Sequence, residues 1–277
     1  MIPLPRLIAT DLDGTLLDHR RELTPRTVAA VAAIVALGVE FVLVTARPPR
    51  TVAPLARQLG GRIVALCGNG TLLAEFDPAE PAWRTTLIRS FEPAQALEII
   101  TQLRPALPDA GFAIETGEEV HYEPEFRTGV VTDDRRVLTD DLAAATLAAA
   151  TIVKVLARSP ERDADDMVRI ARRAVAVAAE ISHSGGRGLL EIAPSGASKA
   201  SALEWLCARR GIEAAQVAAF GDMPNDLPML RWAGIGHAVA NAHPEVLAAA
   251  DLIVGHHAED GVAVALEQFL ANVELKA

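Results

Sequence analysis

The stretch LIATDLDGT, residues 7–15, decides the fold because its short apolar run ends abruptly in two carboxylates, Asp11 and Asp13. In open α/β sheets, ligands bind beyond the carboxyl ends of the strands, so such an ending points to a ligand. Two carboxylates this close repel each other, and a divalent cation held by carboxylate and carbonyl oxygens, best suited by Mg²⁺, would relieve the repulsion. Taken alone, the string is equally typical of a solvated acidic turn.

Helical and extended patterns alternate after this stretch. Thr24 predicts an N-cap, and Pro25 predicts the first position of a helix that stops at Gly38. The β-branched run that follows predicts a strand covered on both faces. The predicted strands of this alternation are 39–44, 62–67, 216–220, 235–240 and 252–254. Such alternation predicts an α/β fold with a doubly wound, Rossmann-like parallel-sheet core and functional residues on the loops after its strands.

The middle of the chain follows a different pattern, with more antiparallel signals. Short extended runs there are separated by helical stretches near residues 92–103, 140–150 and 163–174. We therefore expect two parts. Residues 1–80 and 188–277 would form the catalytic core, and residues 81–187 an inserted α+β cap.

Composition and charge exclude several classes of function. The chain has 277 residues, 51% of them hydrophobic, and can bury a large core. Its formal net charge of −10 opposes nonspecific binding to nucleic acid or anionic membranes, so neither is expected as a partner. Cys67 and Cys207 lack the spacing of a zinc site or disulfide framework, and the first residues do not resemble a signal peptide. These features predict a cytoplasmic protein.

Four loops that follow core strands or open core helices carry the groups needed for phosphoryl transfer. They are residues 11–15, residues 45–47, Ser198-Lys199 and residues 221–226. Phosphoryl transfer needs a nucleophile, a metal, donors for the phosphate oxygens and a proton donor for the leaving group, and these loops supply each. The sequence has neither a Walker loop nor a Rossmann glycine fingerprint, so a nucleotide-driven kinase or a dehydrogenase has no support.

In the order of these loops the chain resembles the haloacid dehalogenase superfamily of phosphatases, in particular its Cof-like branch with a large cap inserted after the third core strand. Residues 11–15 resemble the first motif of that family, Thr45 the second, Lys199 the third and residues 221–226 the fourth. Asn69-Gly70 agrees with the family pattern more weakly. The resemblance spans the whole chain, and four matches in order are specific.

The resemblance implies a chemical role for the acidic residues. Asp11 would attack phosphorus and form an aspartyl-phosphate, which splits one difficult hydrolysis into two easier steps. Asp13 would protonate the leaving alkoxide and then activate water. Mg²⁺ would be held by the side chains of Asp11 and Asp222 and by the backbone carbonyl of Asp13.

The other matched residues would hold the phosphoryl group. Lys199 would stabilise the charge shared by Asp11 and the phosphoryl oxygens, and Asp226 would support Lys199 and the metal site. Donors to the phosphate oxygens would be the Leu12 and Ala46 amides and the Thr45 and Asn225 side chains. For Arg47 two interpretations stay open, namely contact with the substrate or an ion pair at the surface.

These roles predict a Mg²⁺-dependent phosphatase acting on small phosphorylated metabolites such as sugar phosphates, with the cap as a lid that selects the leaving group. Two alternatives stay open: a phosphomutase using the same aspartyl-phosphate, and a noncatalytic protein that binds phosphorylated metabolites. In the cap, His121, Tyr122 and the turn 184–187 are candidates for substrate selection. His256 and His257 fit a surface loop better than a metal site. The sequence does not specify an oligomeric state.

Overall fold

The computed structural model describes residues 4–80, 82–126, 135–185 and 188–274. The strands are β1 (Leu7–Thr10), β2 (Glu40–Val44), β3 (Ile63–Cys67), β4 (Leu72–Phe76), β5 (Arg84–Leu87), β6 (Gly111–Glu115), β7 (Val120–Tyr122), β8 (Arg136–Leu138), β9 (Lys154–Arg158), β10 (Ala179–Ser182), β11 (Leu189–Pro194), β12 (Val217–Gly221), β13 (Ile235–Val239) and β14 (Leu252–Val254). The helices are α1 (Pro25–Ala36), α2 (Pro49–Leu59), α3 (Pro93–Ala106), α4 (Leu142–Ala148), α5 (Ala164–Ala174), α6 (Lys199–Arg210), α7 (Leu227–Trp232), α8 (Pro244–Ala249) and α9 (Gly261–Glu274). None of the helices within the described ranges combines the length and apolar character needed to cross a bilayer.

The first of two sheets, the core sheet, has the strand order β14-β13-β12-β1-β2-β3-β4-β5. All neighbours from β14 to β3 run parallel, and β4 and β5 continue the sheet antiparallel at its β3 edge. Strands β1 and β12 are buried along their whole length, as expected for parallel strands with both faces covered. The predicted α/β class with a doubly wound core is confirmed. The antiparallel β4–β5 hairpin is an addition that the strand and helix alternation did not predict.

Helix α1 shows how local sequence sets the ends of an element. The Thr24 hydroxyl accepts a hydrogen bond from the Thr27 N–H at 3.1 Å, and Pro25 occupies the first turn, where its missing N–H costs nothing. After the helix, Gly38 adopts a φ of +81°, a conformation that favours glycine. Ile34 is fully buried on the face that packs on the core sheet. The helix predicted from this pattern is confirmed.

The second sheet, the cap sheet, has the order β10-β11-β9-β6-β7-β8 and is antiparallel except between β7 and β8. One of its faces packs Phe112 and Val155 against Ile99 of α3 and Met167 of α5, all fully buried. The opposite face lies over the carboxyl ends of the core strands. The cap sheet thus has its own apolar core and places a second set of side chains over the core sheet.

The chain passes from the core sheet to the cap sheet and back at positions that differ from the predicted boundaries, residues 80 and 187. Strand β5 pairs with β4 and so belongs to the core sheet, because the hairpin extends that sheet antiparallel. Strand β11 pairs with both β10 and β9, which places it inside the cap sheet. The crossings therefore lie after Leu87 and after Pro194. Whether the two parts behave as separate domains stays a prediction.

Candidate active site

The candidate site forms where three neighbouring core strands end. In the parallel register, Thr10 of β1 lies between Leu43 of β2 and Phe220 of β12. The next residue, Asp11, donates its backbone N–H to the Phe220 carbonyl at 3.0 Å. This register brings the loops after β1, β2 and β12 to one edge, as predicted for an open α/β sheet, and Thr45 follows β2 at that edge.

The turn after β1 packs directly on the loop after β12. Gly14 has a φ of +82°, and a Cβ atom there would collide with the Asp222 carboxylate. The Thr15 hydroxyl donates to Asp222 Oδ1 at 2.8 Å. Gly14 is therefore required both for its backbone conformation and for the close approach of Asp222, while Thr15 fixes the orientation of that carboxylate.

Lys199 joins two of the loops beneath the site. It is the first residue of α6, whose N-cap Ser198 accepts a hydrogen bond from the Ser201 N–H. Its Nζ atom donates to Asp11 Oδ1 and to Asp226 Oδ1, each at 2.7 Å, and only 1% of its side chain is exposed. The second Asp226 oxygen accepts the backbone N–H groups of residues 222 and 223. Lys199 is thus held at a fixed position by charge and by hydrogen bonds.

Asp11, Asp222 and Asp226 form a buried acidic cluster in which each residue offers a carboxylate oxygen within 4.8 Å of the others. Burial raises the pKa of Asp11 well above its ordinary value; Lys199 opposes this, and Asp226 and Asp222 add to it. Burial, and then the charge of Asp226, raise the pKa of Asp222 to about 6. One ammonium faces three carboxylates, so the cluster has surplus negative charge. An all-oxygen donor set of this kind fits Mg²⁺.

Asp13 and Arg47 form a bidentate ion pair at the mouth of the site. Arg47 donates from Nε and from a terminal nitrogen to the two Asp13 carboxylate oxygens, both at 2.6 Å. Its backbone N–H donates to the Thr45 hydroxyl at 3.1 Å. About a third of the Asp13 side chain is exposed. Of the two interpretations of Arg47, the structure shows an ion pair, but one made with a candidate catalytic group beside the site.

A cavity of about 590 Å³ lies between these loops and the cap sheet. Predicted site residues that line it are Asp11, Asp13, Thr45, Ala46, Arg47 and Asn225. The other predicted residues, Leu12, Lys199, Asp222 and Asp226, do not line the cavity and are buried around its base. The structure therefore brings the predicted residues to one place, in two layers. The role of each residue in catalysis stays a prediction.

The cap contributes charged residues that the sequence analysis missed. Lys154 of β9 donates from Nζ to the Ala46 carbonyl and to Glu191 Oε2, both at 2.7 Å. The same Glu191 oxygen accepts from Asn69 Nδ2 at 3.0 Å, and the other accepts from the Ser184 hydroxyl. Burial raises the pKa of Glu191, but the charge and hydrogen bond of Lys154, with smaller contributions from Ser184 and Lys199, together hold that pKa below its usual value. Asn69 in turn accepts from Asn225 at 3.2 Å, which links the cap to a predicted phosphate donor.

The predicted cap candidates for substrate selection divide between two cavities. Ser184 and Gly185 line the cavity around Asp11, whereas Gly186 and Arg187 lie outside the described residues. His121 contacts Glu119 at 2.7 Å and lines a different cavity between the β4–β5 hairpin and the cap. Tyr122 lies under the Arg136 guanidinium, 4.2 Å from it, and does not line the cavity around Asp11.

His257 lies on a loop at the protein surface, as predicted, but this loop also reaches the candidate site. It is half-buried, its Nδ1 lies 2.8 Å from the Leu17 carbonyl, and its backbone N–H donates to Asn241 at 3.0 Å. Asn241 also donates to the Gly14 carbonyl at 2.8 Å. The loop is drawn to the site because these bonds connect it to the turn after β1, and His257 lines the cavity as a result. His256 instead caps the following turn through the Ala258 N–H.

Comparisons with known proteins agree with this geometry. The family model for haloacid dehalogenase-like hydrolases matches residues 8–266. The chain is 28% identical to HMP-PP phosphatase of Serratia proteamaculans and 27% identical to pyridoxal phosphate phosphatase YbhA of Escherichia coli. These alignments cover 96% and 93% of this chain, respectively, and 96% of each relative.

The fold also resembles a solved structure of the same kind. The crystal structure of a haloacid dehalogenase-like hydrolase from Bacteroides thetaiotaomicron superposes with a TM-score of 0.73 at 26% sequence identity. The superposition covers 95% of this chain and 99% of that one. Nearly the whole length therefore corresponds to the family, including both sheets and all four motif loops. The chain belongs to the haloacid dehalogenase-like hydrolase family.

Proposed function

We propose that this chain is a Mg²⁺-dependent phosphatase that hydrolyses small phosphorylated metabolites through an aspartyl-phosphate on Asp11. The observation that carries the proposal is the buried cluster below the cavity, where Lys199 bridges Asp11 and Asp226 at 2.7 Å and Asp222 lies beside them. Among the residues that the structure describes, Lys199 is the one cation paired with these carboxylates, so the cluster suits a metal and a charged phosphoryl group better than a purely structural role.

Asp11 would act as the nucleophile. It lines the cavity, and Lys199 holds one of its oxygens, which leaves the other able to attack phosphorus in line with the leaving group. The Lys199 ammonium then stabilises the charge that spreads over the carboxylate and the phosphoryl oxygens. The Thr45 hydroxyl and the Ala46 amide, which follow β2 at the same edge, would donate to those oxygens together with Asn225.

Asp13 would move the proton. Its carboxyl group lies at the mouth of the site, where Arg47 holds both of its oxygens, and the leaving group would depart on this side. Asp13 gives a proton to the departing alkoxide and later takes one from the attacking water. Arg47 keeps the Asp13 side chain in one orientation and brings a positive charge to the phosphate entrance.

Mg²⁺ would be bound by the side chains of Asp11 and Asp222 and by the Asp13 backbone carbonyl. When bound, it neutralises the phosphate charge and the surplus charge of the acidic cluster. Asp226 would not bind the ion directly, because its oxygens are occupied by Lys199 and by the N–H groups of residues 222 and 223. It would instead orient the loop that carries Asp222.

The part of the chain that carries the cap sheet would act as a lid that selects the leaving group. Buried contacts tie it to the core: Lys154 reaches the Ala46 carbonyl, Asn69 donates to Glu191, and Arg50 of α2 pairs with Glu115 of β6 through two hydrogen bonds of 2.8 Å. A lid in this position excludes bulk water from the cavity during phosphoryl transfer. The names of the relatives, which are phosphatases of pyridoxal phosphate and HMP-PP, support a small metabolite as the substrate.

The experiment that tests this proposal is phosphate release from a generic aryl phosphate, with Mg²⁺ and with EDTA, for wild type and Asp11→Asn. We expect metal-dependent release that falls by at least about a thousandfold in the variant, because the nucleophile is lost. Asp18→Asn is the matched control, since Asp18 also lines the cavity but accepts the backbone N–H groups of residues 20 and 22.

Other outcomes identify the alternatives. Interconversion of sugar phosphate isomers without free phosphate would indicate a mutase with the same Asp11 chemistry. Binding of phosphorylated metabolites by a folded wild type that shows neither activity would indicate a noncatalytic protein. Equal release by wild type and Asp11→Asn would remove Asp11 as the nucleophile.

A further inference from the structure

The face of the cap sheet above the cavity has an ordered sequence of side chains. Alternate residues of β9, namely Lys154, Leu156 and Arg158, line the cavity, as does Leu189 of β11, the register partner of Arg158. The intervening residues of β9 point into the apolar core of the cap. Because strand residues alternate between faces, this order is fixed by the strand itself. From the phosphate end outward, the cap side of the cavity therefore presents a cation (Lys154), an apolar side chain (Leu156) and a second cation (Arg158).

Arg158 differs from two other cations around the cavity, Lys154 and Arg47, in its partners. Lys154 is paired with Glu191 and Arg47 with Asp13. The Nε atom of Arg158 is buried and makes no hydrogen bond to the residues that the structure describes. Buried donors in folded proteins are almost always satisfied, so this N–H points to an acceptor supplied by a ligand. Arg21, another cavity arginine, is exposed, and water can satisfy it.

We propose that Arg158 selects the substrate by binding a second anionic group, a carboxylate or phosphate, at the far end of the leaving group. This inference rests on the proposed phosphatase function and names the substrate class of that same site. The preferred substrates are phosphate monoesters in which an apolar segment separates the scissile phosphate from the second anion. Leu156 and Leu189 contact the apolar segment, and the planar guanidinium binds the anion in a fork of two hydrogen bonds.

The geometry sets the length of the leaving group. Lys154 Nζ lies 2.7 Å from the Ala46 carbonyl and so marks the phosphate end of the cavity. Arg158 is four positions further along the same strand face, roughly 13 Å at the usual rise of a strand. A leaving group of two carbons does not span this distance, whereas an aromatic ring with a short acidic side chain does.

The test compares phenyl phosphate with aryl phosphates that carry a para carboxylate, attached directly or through an ethylene linker. The readout is the ratio of kcat/KM for each carboxylated ester to that for phenyl phosphate. We expect wild type to favour a carboxylated ester by about tenfold or more, the worth of a charge-assisted hydrogen bond. Arg158→Gln should lose this preference, and Arg158→Lys should retain part of it as a point charge.

Arg21→Gln is the matched control, because it removes the same charge from the same cavity and should leave the ratio unchanged. An equal loss of the ratio in Arg21→Gln and Arg158→Gln would show a general effect of charge and overturn the assignment to Arg158. A wild-type ratio near one for every ester would also overturn it.

Binding of the corresponding aryl phosphonates, which are not hydrolysed, separates this inference from the proposed function. Tighter binding of the carboxylated phosphonate by wild type, lost in Arg158→Gln, supports the anion site even if no ester is hydrolysed. Equal binding of the charged and uncharged phosphonates overturns the anion site even if the protein proves to be an active phosphatase. Calorimetric titration measures both affinities directly.

Discussion

Two buried lysines, Lys199 of the core and Lys154 of the cap, lie near the cavity in similar surroundings but with different charge balance. Lys199 contacts Asp11 and Asp226, with Asp222 close by, so one ammonium serves three carboxylates. Lys154 contacts a single carboxylate, that of Glu191, which two neutral side chains also satisfy. Their side chains are 1% and 6% exposed, so burial does not distinguish them.

The pKa shifts of the carboxylates report this difference. Burial and mutual repulsion raise the pKa values of Asp11 and Asp222, whereas Lys154 holds the pKa of Glu191 below its usual value against the effect of burial. The core cluster, formed by Lys199 with Asp11, Asp222 and Asp226, therefore retains surplus negative charge that a metal ion can neutralise. The cap cluster, formed by Lys154 and Glu191, is already neutral. The unbalanced cluster is suited to chemistry, and the balanced one to joining cap and core.

The largest effect is expected for Lys199→Met. The change leaves the three buried carboxylates without their ammonium, which should lower the free energy of unfolding by about 3–5 kcal/mol and abolish phosphate release. Urea unfolding in EDTA measures the stability change. Mg²⁺ supplies positive charge in place of the lost Lys199 ammonium. It should therefore raise the free energy of unfolding of this variant more than that of wild type. If Mg²⁺ stabilises the two proteins equally, the surplus charge is not where the ion binds.

A smaller loss is expected for Lys154→Met, about 1–3 kcal/mol, because Asn69 and Ser184 still donate to Glu191. Mg²⁺ should stabilise this variant only as much as it stabilises wild type. The KM for an aryl phosphate should rise more than kcat falls, since the contact to the Ala46 carbonyl orders the phosphate loop.

Arg162→Gln is the control for Lys154→Met on the outer side of the cap. Arg162 pairs with Asp109, but both side chains are about a third exposed, so the pair adds little stability. We expect a change below about 1 kcal/mol and unaltered kinetics. A loss as large as that of Lys154→Met would mean that any cap ion pair matters equally, and the comparison between the two lysines would fail.

The sequence predicts the core cluster well because its signals are local. Strand endings, the N-cap at Thr24 and the loops carrying Asp11, Lys199 and Asp222 each follow from a few neighbouring residues. The parallel order of strands then brings these loops to one edge without further information. Because β1 lies in register between β2 and β12, the loops after β1 and β12 lie side by side. Lys199 can therefore form a hydrogen bond of 2.7 Å to a residue of each loop.

The cap cluster could not be predicted in the same way. Lys154 and its acceptor Ala46 are 108 positions apart and meet only because the cap docks on the core. One signal was available, since Lys154 is one of only three lysines in the chain and interrupts the otherwise apolar run 152–157. The β4–β5 hairpin escaped prediction because Leu72–Phe76 shows no clear alternation, and its pairing with β3 is set by the fold.

A modest change in stability of the opposite sign is expected for Asp222→Asn. The folded pKa of Asp222, about 6, lies above the ordinary value of 3.8, so the folded state keeps a proton that the unfolded chain loses. Wild-type stability therefore falls as the pH rises between these values. In EDTA, Asp222→Asn should be more stable than wild type by about 1–2 kcal/mol at pH 7.5, and this gain should vanish near pH 4.

At neutral pH, Mg²⁺ should make wild type more stable than Asp222→Asn. An ion that binds the folded state but not the unfolded state raises the free energy of unfolding, and the asparagine variant binds Mg²⁺ more weakly because it has lost one charged ligand. The Thr15 hydroxyl can still donate to the asparagine oxygen, so the variant keeps its local contact. Asp251→Asn is the control, since Asp251 accepts the Gly236 N–H elsewhere on the core sheet. A gain for Asp222→Asn that persisted at pH 4 would come from packing rather than charge, and would remove the surplus charge that distinguishes the core cluster from the cap cluster.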